Sequence, residues 1–302
     1  MKKVLLSLLT IALAFTAIAP AQAQDERVLA IIDSAINSNN FPSIIHEVCF
    51  TTVKSKNPTQ NMSCPNGELF MEGKGAATAN WPTNLGSGTF HGDTMVKAAL
   101  TVNSNLKIVF IRAHNITSLG AGSAPADGST IFSALDWVNK NASKYSIDAV
   151  SVSMSGIHTD LRTRVQSLHP GCTNPSILNP FTNQVSQLNA VNIPTFAATG
   201  NNGSRTLVGF PSCVPGVIGV GALGNTTQLE GLTNTGPGLD MVAPGKVHIT
   251  KYNGSPTDTA GSSVATVVSA ASYVNRNTFK TFGEYLTSLP KILIGTASYI
   301  RN

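Results

Sequence analysis

Short apolar runs alternate along this chain with stretches that have the spacing of helices. The runs are nearly continuous in apolar character, which is typical of strands buried on both faces of a parallel sheet. We interpret five of them as strands: residues 28–32, 108–112, 149–154, 195–198 and 217–220. Strands that alternate with helices predict an α/β fold with a doubly wound, mostly parallel sheet flanked by helices.

Helices are expected between these strands. Ser129 is a residue type that caps helices, and the apolar residues after it recur at helical spacing. A second helix is indicated before the run at 195–198, and the segment 264–274, rich in Ala and Val, predicts a buried helix. The 302 residues have 42% hydrophobic content and neither an internal repeat nor a dividing linker, which suits one large domain.

The N-terminus has the pattern of a secretory signal peptide. Lys2 and Lys3 precede an apolar stretch from 4 to 18, and Ala21-Gln22-Ala23 has the small-x-small form of a cleavage site. The apolar stretch is short for a transmembrane helix, and an uncleaved N-terminal anchor is the alternative. We assign residues 1–23 to a signal peptide and 24–302 to one domain, which is secreted or periplasmic and free of the membrane after cleavage.

Charge and motif content argue against two classes of function. Charged residues make up only 12% of the chain, and the formal net charge of +5 comes from scattered Lys and Arg, so no nucleic-acid footprint is indicated. Neither Cys-x-x-Cys nor His-Glu-x-x-His occurs, so zinc is not suggested and no metal site is named.

Four cysteines predict two disulfides, because an even number in an exported chain favours pairing over free thiols. Of the three possible pairings, we predict Cys49–Cys64 and Cys172–Cys213. Cys49 and Cys64 lie in a long polar region, 46–88, which we interpret as an insertion or hairpin held together by that bond. The other two pairings would tie this region to the loops around Cys172 and Cys213.

Four polar residues occupy positions next to the predicted strands and helices. Asp33 ends the first strand, and His91 precedes Gly92 and a helical pattern. Asn201 follows the run at 195–198, and Ser263 stands directly before the apolar helix. Each has an ordinary explanation by itself, as a turn, a loop or a helix cap. Together they supply the carboxylate, imidazole, amide and hydroxyl that acyl transfer by a serine nucleophile needs.

Further segments extend this pattern into a family resemblance. The order Asp, His, Ser is that of subtilisin. The additional matching segments are 126–129, 148–156, Val217-Ile218-Gly219-Val220-Gly221-Ala222 and Leu239-Asp240-Met241-Val242-Ala243-Pro244-Gly245. The chain therefore resembles the subtilisin-like serine proteases (subtilases, peptidase family S8) over nearly all of the predicted domain.

The resemblance implies a role for each of the four residues. Asp33 orients His91, and His91 is the general base. Ser263 is the nucleophile, because Ser263 and not Ser262 matches the third position of the family's Gly-Thr-Ser-Met-Ala motif. Asn201 donates to the oxyanion.

The resemblance also implies how a substrate binds. Ser153, Met154 and Ser155 match the strand that pairs with an extended peptide, so the peptide binds by strand addition. Ala198, at the end of the run at 195–198, is also assigned to substrate binding. Two departures from the family pattern bear on specificity and pH optimum. Ser155 replaces a Gly, and Asp93 adds a carboxylate near the base.

These observations predict a secreted serine endopeptidase that cleaves protein or peptide substrates through a triad and an acyl-enzyme intermediate, with 24–302 as its catalytic domain. The alternatives are a catalytically silent peptide-binding protein on the same fold and a serine esterase; the lack of Gly-x-Ser-x-Gly weakens an α/β-hydrolase interpretation. No cofactor is identified, and a structural calcium ion stays unassigned. Since Asp25-Glu26-Arg27 leads straight into the first strand, we expect folding to be unaided or assisted by a separate folding or inhibitor chain.

Overall fold

A ten-stranded sheet that is parallel except at its two ends forms the centre of the protein. The structure is a computed structural model that describes residues 27–55, 63–79, 90–113, 128–159, 166–225, 228–251, 254–276, 281–294 and 297–301. The predicted signal peptide, residues 1–23, lies outside these ranges. Within them, no helix combines the length and the apolar character needed to cross a membrane.

The strands of the central sheet are β1 (Val28–Asp33), β2 (Ile44–Phe50), β3 (Phe70–Glu72), β4 (Lys107–Arg112), β5 (Ile147–Val152), β8 (Thr195–Ala198), β9 (Ile218–Leu223), β10 (Met241–Pro244), β13 (Lys291–Ile294) and β14 (Ala297–Arg301). Their order across the sheet is β3-β2-β4-β1-β5-β8-β9-β10-β14-β13. The two outermost pairs, β2 with β3 and β13 with β14, run antiparallel. Two separate hairpins join β6 (His158–Thr159) to β7 (Gln166–Ser167) and β11 (Lys246–Thr250) to β12 (Pro256–Ala260).

Helices cover both faces of the sheet. They are α1 (His91–Val102), α2 (Gly128–Tyr145), α3 (Pro170–Thr173), α4 (Pro175–Ala190), α5 (Ser262–Val274) and α6 (Phe282–Ser288). Ile31 of β1 enters one core with Val264 of α5, whereas Ile32 enters the opposite core with Leu135 of α2. Consecutive residues of a strand thus reach opposite cores, and the predicted doubly wound α/β fold is confirmed.

The predicted strands are found, with shifts at their ends. The strand at 195–198 is confirmed as β8. The strand predicted at 149–154 is observed at Ile147–Val152, where Val152 is the last residue paired with both neighbours, β1 and β8. Residues 153–155 therefore run past the end of the sheet.

Of the two interpretations of residues 46–88, the insertion is wrong for their first part, whereas a hairpin with a local disulfide is found there. Residues 46–50 belong to β2, a parallel neighbour of β4 in the central sheet, and β3 then returns antiparallel to β2, as a hairpin would. Glu47 is only 4% exposed, and its carboxylate oxygens accept the backbone N–H groups of Gly75 at 2.9 Å and Ala77 at 3.1 Å. These bonds let a charge lie inside the sheet, and the charge interrupts the apolar pattern that identifies the other strands.

Both predicted disulfides are confirmed. The Cα atoms of Cys49 and Cys64 are 5.8 Å apart, and those of Cys172 and Cys213 are 5.7 Å apart. The first bond anchors the segment between β2 and β3 to β2 itself. The second joins α3 to the turn that precedes β9, so it crosslinks two connections outside the sheet.

Candidate active site

The carboxyl ends of β1, β5 and β8 bring the predicted site residues to one edge of the sheet. These three strands are adjacent and parallel. Asp33 is the last residue of β1, Ser153 follows β5, and the loop 199–204 follows β8. This edge is where doubly wound α/β sheets place ligands and catalytic groups.

Asp33 and His91 form a close pair across 58 residues of sequence. The Nδ1 atom of His91 lies 2.8 Å and 3.0 Å from the two carboxylate oxygens of Asp33. The Asp33 side chain is fully buried, whereas 32% of the His91 side chain is exposed. Because Nδ1 is bound to the carboxylate, Nε2 is the ring nitrogen that remains for proton transfer.

Gly92 lets the start of α1 approach β1 closely enough for this pair to form. Its N–H donates to the hydroxyl of Ser34 at 3.1 Å. A Cβ atom at position 92 would lie 2.6 Å from the carbonyl oxygen of Ala35 and 2.6 Å from the ring of Phe110. Any side chain larger than hydrogen would therefore push His91 away from Asp33.

Effects of opposite sign act on the pKa of His91. Burial lowers the pKa because the charged imidazolium is poorly solvated. The negative charge of Asp33 and its hydrogen bond to Nδ1 raise the pKa and outweigh burial, so the pKa of His91 lies above its usual value of about 6.5. Asp33 therefore both orients the imidazole and makes it a stronger base.

Asp93 binds backbone groups, so the expectation that it tunes the base is not supported by its contacts. The side chain is fully buried. One of its carboxylate oxygens accepts the N–H of Asn37 at 2.9 Å, and the other accepts the N–H of Phe90 at 3.2 Å. An acidic side chain in the first turn that returns to the residue before the helix stabilises the start of α1. Asp93 thus fixes the position from which His91 projects.

Ser263 lies in the first turn of α5, beside the end of β5. The helix begins at Ser262, after Gly261 with a φ of +141°. The hydroxyl of Ser153 donates to the carbonyl oxygen of Ser263 at 3.1 Å. Ile32 and Val152 are register partners, so Asp33 and Ser153 are the residues that follow that pair on adjacent strands. The start of α5 is thereby held next to the strand end that carries Asp33.

Asn201 is held against the same helix terminus. Its side-chain oxygen accepts the N–H of Ser262 at 2.9 Å, and the N–H of Gly200 donates to the Ser262 hydroxyl at 3.1 Å. Because a backbone N–H can only donate, the first bond identifies the oxygen end of the amide. Asn201 is an exposed residue, and its Nδ2 group is the end of the amide that does not bind Ser262.

The residues predicted to bind substrate differ in exposure. Ser153 and Ala198 are buried, at 1% and 0% exposure, and Met154 is 8% exposed and part of the core beside α2. Ser155 is half-buried, and its hydroxyl has no partner within the described part of the protein. Beyond it, Gly156 exchanges two backbone hydrogen bonds with Phe210, at 2.8 Å and 3.1 Å.

The site contains carboxylate, imidazole, hydroxyl and amide groups, and nothing in its described residues resembles a metal centre. No group of three or more His, Cys, Asp or Glu side chains suited to a metal ion occurs among the residues that the structure describes. Sequence reasoning missed one buried polar residue beside the site, Asn234, whose side chain binds the loop 199–204. It lies in Thr233-Asn234-Thr235, which carries no recognisable motif.

Comparison with known proteins points to one family. The sequence model of the subtilase family, Peptidase_S8, matches residues 25–283. Subtilisin DY from Bacillus licheniformis is 26% identical over 170 residues, which are 55% of this chain and 52% of that protein. The match thus spans about half the length of that relative.

Solved protease structures share the fold. The nisin leader peptidase NisP from Lactococcus lactis superposes with a TM-score of 0.62 at 13% identity, covering 91% of this chain and 85% of that one. A lanthipeptide protease superposes with a TM-score of 0.56 at 13% identity, covering 81% and 71%. At such low identity these likenesses concern the fold.

Proposed function

Because the chain belongs to the subtilase family, peptidase family S8, we propose that it is a serine endopeptidase that hydrolyses peptide bonds through an acyl-enzyme intermediate. The observation that carries this proposal is the bond between buried Asp33 and Nδ1 of His91, at the sheet edge where α5 begins. A fully buried carboxylate that binds a partly exposed imidazole is the arrangement of an oriented general base.

In the proposed reaction, the Oγ atom of Ser263 bonds to the carbonyl carbon of the substrate while its proton moves to Nε2 of His91. The carbonyl electrons move onto oxygen, and the Nδ2–H of Asn201 and the backbone N–H of Ser263 stabilise that oxyanion. When the oxyanion collapses, the C–N bond breaks and His91 gives its proton to the leaving amine. Water then repeats the sequence on the acyl-enzyme, which releases the acid and regenerates Ser263.

We further propose that an extended peptide binds beside residues 153–155. These residues continue β5 past its last paired position, so their backbone groups lie outside the sheet ladder. A peptide segment could add there as a further strand, through backbone hydrogen bonds that do not depend on its sequence. The hydroxyl of Ser155 is itself buried, so in this proposal the backbone of the segment, and not the Ser155 hydroxyl, binds the peptide.

The remaining expectations complete the proposal. We propose that residues 1–23 are removed on export and that residues 24–302 act as the catalytic domain outside the cytoplasm, consistent with two disulfides. The chemistry needs no cofactor. A separate chain that assists folding or inhibits the enzyme stays part of the proposal, as does a structural calcium ion without assigned ligands.

A fluorophosphonate probe tests the proposed function. The wild-type protein should be labelled on Ser263, and Ser263→Ala should not be labelled. Ser269→Ala is a matched control, since Ser269 lies on the same helix and its buried hydroxyl has no partner in the described structure. Labelled protein that cleaves casein in preference to simple esters supports a protease. Labelling with ester cleavage alone would indicate an esterase, and a folded but unlabelled protein would indicate the silent peptide-binding alternative.

A further inference from the structure

We propose that Asn234 is a positioning residue that holds the loop 199–204 in the conformation that presents Asn201 to the oxyanion. The effect on catalysis that we expect from Asn234 rests on the proposed function. Asn234 lies between β9 and β10, 33 residues after Asn201, and it is fully buried.

The Asn234 side chain uses all of its hydrogen-bonding groups on this loop. Its oxygen accepts the backbone N–H groups of Asn202 at 2.9 Å and Ser204 at 3.1 Å. Its nitrogen donates to the carbonyl oxygen of Thr199 at 3.1 Å and to the side-chain oxygen of Asn202 at 3.3 Å. Two acceptor and two donor positions are what one amide offers, so Asn234 has no capacity left for another role.

These bonds flank Asn201 on both sides. Asn234 binds the loop before Asn201, at Thr199, and after it, at Asn202 and Ser204; the backbone N–H of Asn234 also donates to the carbonyl oxygen of Gly200 at 2.8 Å. The Asn201 side chain itself is bound from the other direction, by the N–H of Ser262. The peptide backbone of the loop is therefore fixed by Asn234, and the side-chain amide is fixed by α5.

The fit between loop and amide is tight. Gly200 has a φ of +106°, and a Cβ atom there would lie 2.5 Å from the nitrogen of Asn234. An apolar side chain of similar size at 234 would fill the space but leave the N–H groups of Asn202 and Ser204 without their partner. The Thr199 carbonyl oxygen would keep only its bond from the N–H of Gly209, at 2.8 Å. An aspartate would keep the two accepted bonds, lose both donated ones and turn a carboxylate oxygen toward the acceptor oxygens of Thr199 and Asn202. Both substitutions should therefore loosen the loop.

Thr233→Val is the matched control. The Thr233 hydroxyl is also fully buried and forms two hydrogen bonds, with the N–H and the carbonyl oxygen of Ala222 in β9. Its substitution removes buried bonds from the neighbouring position without touching the loop 199–204. Any effect that Asn234 variants share with Thr233→Val reports general loosening of this segment.

Hydrogen exchange measures how firmly Asn234 holds the loop 199–204, without reference to activity. Asn234→Leu and Asn234→Asp should both speed exchange of a peptide covering 199–204, and Thr233→Val should not. Unchanged exchange of that peptide in both variants would overturn the proposal. If Asn234→Leu does not fold, the Asn234→Asp variant decides the question by itself.

A double-mutant comparison measures the catalytic consequence. Displacement of the donor should lower kcat of Asn234→Asp by roughly ten- to a hundredfold with little change in KM. In an Asn201→Ala background, the same substitution should lower kcat far less, because the positioned donor is already gone. Equal losses in both backgrounds, or a change in KM alone, would reject the positioning role. Absence of fluorophosphonate labelling in the wild type would instead reject the proposed function. Hydrogen exchange alone would then decide whether Asn234 holds the loop 199–204.

Discussion

The side-chain oxygen of Asn201 accepts the backbone N–H of Ser262 at 2.9 Å. This bond links the loop after β8 to the first turn of α5, and it leaves the nitrogen of the amide as the donor on the opposite side. The residue next to Ser262 is Ser263, the proposed nucleophile, so the bond ties the proposed oxyanion donor to the helix turn that carries the nucleophile.

Asn201→Ala should lower kcat about a hundred- to a thousandfold, the range known for the corresponding loss in subtilisin, and leave KM nearly unchanged. The reason is that the Nδ2–H bond forms only when the oxyanion develops. Steady-state kinetics on a chromogenic peptide checks this.

Asn201→Asp separates donation from anchoring. It keeps an oxygen for the Ser262 N–H but replaces the donor with a carboxylate oxygen, whose negative charge repels the oxyanion, so its kcat should be no higher than that of Asn201→Ala. A variant that raises KM with kcat intact would show that Asn201 binds ground-state substrate.

Ser263→Ala should reduce kcat by about a million-fold, the scale known for triad removal in subtilisin. Ser269→Ala, on the same helix, should retain wild-type kcat and KM. Active-site titration with a fluorophosphonate should give one site per molecule in the control and none in Ser263→Ala. Substantial peptide cleavage by a purified Ser263→Ala protein would mean that another group is the nucleophile.

The pH profile should follow the raised pKa of His91. The general base must be neutral, so kcat/KM should fall as the pH drops through that pKa, with a midpoint above about 6.5. Asp33→Asn removes both effects that raise the pKa and leaves burial, so the acidic limb should move to lower pH while kcat falls by about 10⁴-fold. A pH–rate series on both proteins decides this, and an unshifted limb would contradict the account of Asp33.

The raised pKa of His91 also makes the stability of the protein depend on pH, in the direction opposite to its activity. Because folding raises the pKa of His91, the pair with Asp33 contributes stability below the unfolded pKa of about 6.5, and this contribution is lost as the pH rises through the folded value. Stability from this pair and activity therefore change in opposite directions with pH.

The two disulfides should contribute unequally to stability. Cys49–Cys64 closes a separation of 15 residues and Cys172–Cys213 one of 41, so the chain-entropy model gives about 3 and about 4 kcal/mol. Replacing each pair by alanines and measuring reversible urea unfolding tests the order. A larger loss for Cys49–Cys64 would show that its contacts in β2, where Cys49 is fully buried, outweigh loop closure.

The parts of the fold that depend on local pattern could be predicted from the sequence. β8 was predictable because Thr195–Ala198 is short, apolar and bounded by a glycine after it. β2 was not, because Glu47 interrupts the apolar pattern and finds its partners at Gly75 and Ala77, about 30 residues away. A buried charge looks like a loop residue until those partners are known.

The site shows the same division. Asp33, His91, Asn201 and Ser263 stand in recognisable local contexts at the ends of strands or the starts of helices, so sequence reasoning could propose them. Asn234 has no such context, because its role comes from backbone groups more than 29 residues earlier in the chain. For Asp93, the sequence predicts a carboxylate near His91 but not what it does. Its position two residues after His91 suggests an effect on the pH optimum, whereas its hydrogen bonds show a structural role at the start of α1.

The Cys172–Cys213 crosslink has a consequence for when such an enzyme reaches full activity. Cys213 lies three residues after Phe210, whose backbone bonds Gly156 at the far end of the segment 153–155. Thiols stay reduced in the cytosol and pair after export. With export and peptide binding as proposed, the segment 153–155 would gain its covalent support only outside the cytosol, so newly made chains would be least competent while they share a compartment with the cell's own proteins.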